Sequence, residues 1–86
     1  MTTKAPAAVA PAALESLEKI AYASVEGIPA ADPHDIDRLG YNVWRWLTRR
    51  QDPLSLVVKN ANARLLISEE EAVARISEKL KHAGKL

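Results

Sequence analysis

Hydrophobic residues recur along this chain at three- and four-residue spacing in four runs, each opened or closed by a helix start or stop signal. Leu14, Leu17, Ala21, Val25 and then Ile28 share one face of a first predicted helix, from about Pro11 to Glu26. Pro11 suits its first turn, and Gly27 suits a left-handed stop. The second predicted helix opens at Asp32-Pro33 and runs to about Arg50. Asp32 serves as N-cap, Pro33 as the first helical residue, and Asp35 sits in the positive first turn. Ile36, Leu39, Val43, Trp46 and Leu47 fall on its inner face, with Trp44 at the edge. Trp46 therefore reads as core and Trp44 as a boundary residue. Gly40 costs this helix about 1 kcal/mol relative to Ala, which points to a close neighbour or a bend.

The third run repeats the Asp-Pro signal at Asp52-Pro53. Leu54, Val57, Val58, Ala61 and Leu65 make one apolar stripe, and Leu56, Ala63 and Ile67 make a second, roughly opposite. A helix apolar on both sides is central in its fold or shared with another chain, so Leu56, Ala63 and Ile67 are read as an association face. A hairpin is the competing reading, with LSLVVKN and RLLIS paired across Ala61-Asn62-Ala63. The three-to-four spacing favours helix. The fourth helix begins at Ser68, which can cap Glu71, and it carries Ala72, Val73, Ile76, Leu80 and Ala83 inward until Gly84 stops it. Glu71 with Arg75, and Glu78 with His82, pair along its exposed side.

The fold class this predicts is all-α, a compact bundle of about four short helices. Residues 1–10, rich in Ala, Pro and Thr with one Lys, are expected to form a disordered tail before a single helical domain over residues 11–86. A chain of 86 residues buries only about 60% of the surface its unfolded form exposes, so a homodimer or a partner would add stability.

Charge and composition narrow the function. Twelve Lys and Arg nearly balance eleven Asp and Glu, for a formal net charge of +1, so any basic footprint must be local. With no Cys, disulfides and thiolate metal sites are excluded. No apolar run is long enough to span a membrane, and a cytoplasmic location is expected. The stretch from Asp32 to Asp37 holds one His and lacks calcium-loop spacing, so it reads as helix capping, and no metal or cofactor is expected. Two distant His, no nucleophile elbow and three Gly in the whole chain argue against an enzyme.

The candidate binding surface lies on the second helix. Arg38, Arg45 and Arg49 line the side opposite its apolar face, flanked by Tyr41 and Asn42, with Arg50 just beyond and Trp44 at the border. Lys59 and Arg64 extend the patch if the third helix packs alongside. Arg forks grip carboxylates or phosphates with two bonds. The plainer reading is a solvated face whose last cations offset the helix dipole. LGYNVWRWL is similar in pattern to the recognition helix of helix-turn-helix proteins. That motif needs a preceding helix and a short turn, and Asp32 to Leu39 supplies barely two turns. The functional expectation is a small helical protein-interaction module, an adaptor, inhibitor or regulator of the kind phages and plasmids encode, which docks on a protein partner. The alternative is a nucleic-acid-binding regulator using the Arg stripe.

Overall fold

The computed structural model describes residues 16–86, and the expected tail and the start of the first helix lie outside them. Within the described residues the chain is all-α. Helix α1 covers residues 16–25, followed by α2 (Pro33–Arg49), α3 (Leu54–Asn60) and α4 (Glu69–His82). The chain leaves α1 through Gly27, whose φ of +85° is the left-handed stop its position predicts.

Helix α2 begins as its sequence dictates. The Asp32 carboxylate accepts the His34 N–H at 2.7 Å, and the Asp35 carboxylate accepts the Asp32 N–H at 3.2 Å, closing a capping box. Leu39, Val43 and Leu47 are buried, while Ile36 and Trp46 are half-buried. Gly40 stands inside an unbroken helix, against the Tyr22 ring of α1. A Cβ at Gly40 would lie 2.5 Å from Tyr22 Cδ1, so the residue marks close helix packing and not a bend. The helix ends at Arg50, left-handed at φ 58°, with its N–H donated to the Trp46 carbonyl at 2.6 Å.

The third element departs from expectation. Helix α3 is seven residues long and stops at Asn60, well short of Ile67. Asp52 is not its cap: Pro53 takes the N-cap position, with no side-chain hydrogen bond. After Ala61 the backbone turns at Asn62, φ 53°, and continues without helix to Ser68. Ala31 donates to the Arg64 carbonyl at 2.8 Å and Leu66 donates to the Pro29 carbonyl at 2.9 Å, around an isolated antiparallel bridge between Ala30 and Leu65. Residues 54–67 are thus neither one helix nor a hairpin; the second half pairs with the α1–α2 connection. Leu56, Ala63 and Ile67 consequently share no helix face. Leu56 is exposed on α3, whereas Ala63 and Ile67 are half-buried against the core.

Helix α4 matches its reading closely. The Ser68 hydroxyl accepts the Glu71 N–H at 3.0 Å, and Glu71–Arg75 and Glu78–His82 pair at 3.1 and 3.0 Å. Ala72, Ile76 and Leu80 are fully buried. Ala83 is exposed, because the helix has already ended there. Helix α3 packs against both α2 and α4. Its Leu54, Val57 and Val58 join Ala21, Val25 and Ile28 in one hydrophobic core.

Candidate docking surface

The Arg residues of α2 are not equivalent, because buried and backbone acceptors claim some of them. Asp35 is fully buried at the start of α2. Its carboxylate accepts the Arg64 N–H at 3.2 Å and pairs with the guanidinium groups of Arg38 and Arg64. Arg64 also reaches Asp32 at 2.8 Å, and Arg38 donates to the Asn62 carbonyl at 3.3 Å. Arg38 therefore belongs to an ion cluster that anchors the segment after α3 on α2. Burial by itself would push the Asp35 carboxyl up. The N–H and guanidinium of Arg64, with the Asp32 N–H, outweigh burial and hold it below its ordinary value.

A carboxyl depressed in the folded state contributes stability that is complete above its unfolded value of about 3.9 and is lost as pH falls through the folded value. Thermal melts between pH 6 and pH 2 are therefore expected to show an acid limb that is visibly shallower in Asp35→Asn. Equal limbs would mean that Asp35 carries no linkage.

Arg50 is also engaged. Its guanidinium lies 4.8 Å from the Trp46 ring centroid and donates to the Lys85 carbonyl. Trp46, expected in the core, is half-buried instead: its indole N–H donates to the Asp52 carbonyl at 2.6 Å and so clamps the turn into α3. Trp44 is half-buried as well, its indole nitrogen sealed from solvent and without an acceptor among the described residues. Tyr41 is exposed and meets Trp44 edge to face at 5.8 Å. Tyr41 borders a different hollow, with Tyr22 and Asn62.

Arg45 and Arg49 remain. They stand one turn apart, both exposed, and neither has a carboxylate partner among the described residues. They border a cleft between α2 and α3 whose other walls include Asn42, Trp46, Gln51 and Asn60. Asn42 sets its width by donating to the Val57 carbonyl at 3.3 Å. The cleft holds about 190 Å³, below the roughly 300–1,000 Å³ of small-molecule pockets, so it suits a protruding side chain or chain segment. Its polar lining presents two forked cations, with Asp52 as an acidic neighbour.

The structure thus brings Arg45 and Arg49 together, ties Arg38 and Arg50 elsewhere, and leaves the Tyr41–Trp44 pair outside the cleft lining. Sequence reasoning missed the Asp35–Arg64 pairing, which joins residues too distant along the chain for any local signal. Among the described residues, no helix is long and apolar enough to cross a membrane, and no group of three His, Asp or Glu is placed to hold a metal. Comparison with protein-family models, curated proteins and solved structures finds no match to this chain.

Proposed function

We propose that this protein is a small helical interaction module that docks an acidic segment of a protein partner on the Arg45–Arg49 cleft. The observation that carries the reading is the state of these two side chains. They are exposed, one turn apart, without a carboxylate partner among the described residues, and seated at the edge of a cleft walled by a Trp ring. Two guanidinium forks at that spacing match successive carboxylates of an acidic segment. A net charge of +1 supports a protein partner over a phosphate backbone, which attracts through an excess of cations.

The test is a titration with a fluorescein-labelled Glu/Asp-rich peptide, and with duplex DNA in parallel. The peptide is expected to bind and to change Trp emission, since Trp46 forms one wall. Arg45→Gln/Arg49→Gln should weaken binding by about tenfold or more, because hydrogen bonds to charged groups contribute about 1.5–3 kcal/mol each. Its melting behaviour should stay close to wild type, exposed Arg contributing roughly 0–1 kcal/mol each. Tighter binding to DNA, weakening steeply with salt, would replace this reading with the nucleic-acid one. An untouched peptide affinity in the double variant would remove the cleft from the account.

A further inference from the structure

Helix α3 separates two charged patches of opposite sign. Leu54, Val57 and Val58 point inward, leaving Ser55, Leu56, Lys59 and Asn60 exposed. Asn60 borders the Arg45–Arg49 cleft, whereas Ser55, on the other side, borders a hollow with Val73, Glu69 and Glu70. That hollow has a largely apolar lining. Glu71 is paired with Arg75, but Glu69 and Glu70 have no cation among the described residues. On the α3 wheel, Leu56 and Lys59 lie side by side at the middle of the exposed face, between Ser55 and Asn60.

We infer that the acidic partner of the cleft is a second copy of this chain, an inference that rests on the docking reading above. A two-fold axis running along α3 sets the Arg45–Arg49 side of each protomer against the Glu69–Glu70 side of the other. The two Leu56 side chains then meet at the axis, with the Lys59 stems alongside and their ammonium groups reaching solvent. The contact is self-complementary and closed, so it ends at a dimer. The near balance of twelve cations against eleven anions fits a molecule that complements itself. It also gives exposed Leu56 a cover.

Sedimentation equilibrium of the full chain tests this. The wild type should show a mass that rises with concentration from 9.4 kDa toward twice that value and falls back at high salt. Arg45→Glu/Arg49→Glu should weaken self-association about tenfold or more, and so should Glu69→Lys/Glu70→Lys. An equimolar mixture of the two variants should associate again, because each restores opposite charge at both contacts. Glu69→Gln/Glu70→Gln, expected to weaken association too, keeps the acidic side testable if Lys in the first turn of α4 prevents folding. A wild type that stays at 9.4 kDa at millimolar concentration overturns the inference. So does a mixture that stays monomeric, or an assembly larger than a dimer. If the chain is monomeric yet the labelled acidic peptide still binds, the second copy falls and the docking reading stands. If neither binds, both fall.

Discussion

Ile76→Ala is expected to lower the unfolding free energy by about 2–5 kcal/mol, the range for truncating a fully buried Ile or Leu. Ile76 is completely enclosed on α4. The loss combines the transfer energy of the removed atoms with a cavity that the helices can only partly close. A domain of this size holds roughly 0.05–0.15 kcal/mol per residue, so one such cavity removes a large share of the total. Urea unfolding followed by circular dichroism measures the change directly. Val73→Ala, on the same helix but half-buried, serves as the comparison and should lose distinctly less. Equal losses would mean that α4 does not use Ile76 as its main anchor.

The second large effect is expected at Gly40, where adding atoms is the damage. Gly40→Val places a Cβ where Tyr22 Cδ1 is 2.5 Å and Cε1 is 2.7 Å away. Overpacking of this kind costs about 1–3 kcal/mol. Removing Gly from a helix interior returns at most about 1 kcal/mol, so the net sign is destabilising. A double-mutant cycle separates the two terms. In a Tyr22→Ala background the ring is gone, and Gly40→Val should become neutral or stabilising. An unchanged cost there would trace the effect to the helix backbone instead of the α1–α2 contact. Gly27 contrasts with it, having nothing within 4 Å of a built Cβ and a φ of +85°, so its requirement is conformational.

Much of the fold is legible in short stretches. Asp32-Pro33 with Asp35, and Ser68 with Glu71, announce their helices because capping is decided within four residues. The buried positions Leu39, Val43 and Leu47 follow from spacing alone. The end of α3 is not legible in this way. Leu54 to Ile67 keeps a helical rhythm, but Asn62 adopts a left-handed turn and Arg64 is drawn to Asp35. That pairing depends on a carboxylate 29 residues earlier in the chain. The same division applies to the surface. A helical wheel places Arg38, Arg45 and Arg49 on one side, yet it cannot distinguish the Arg held by Asp35 from the two without a carboxylate partner among the described residues. Trp46 departs from its wheel position for a related reason. Its apolar ring fits the inner face, while its N–H is settled by the Asp52 carbonyl in the following turn.

The way Arg64 is held has a consequence for proteolysis. Its peptide bond lies in a stretch with no helix, where a trypsin-like enzyme would ordinarily cut first. Here the N–H is donated to Asp35, the carbonyl accepts Ala31, and the guanidinium spans Asp32 and Asp35. A protease reaches this bond only after the ion cluster and the short antiparallel contact have opened together. Cleavage after Arg64 is therefore expected to follow the free energy of that joint opening. At this bond, resistance to digestion is expected to track the Asp35 cluster, although the bond lies outside every helix.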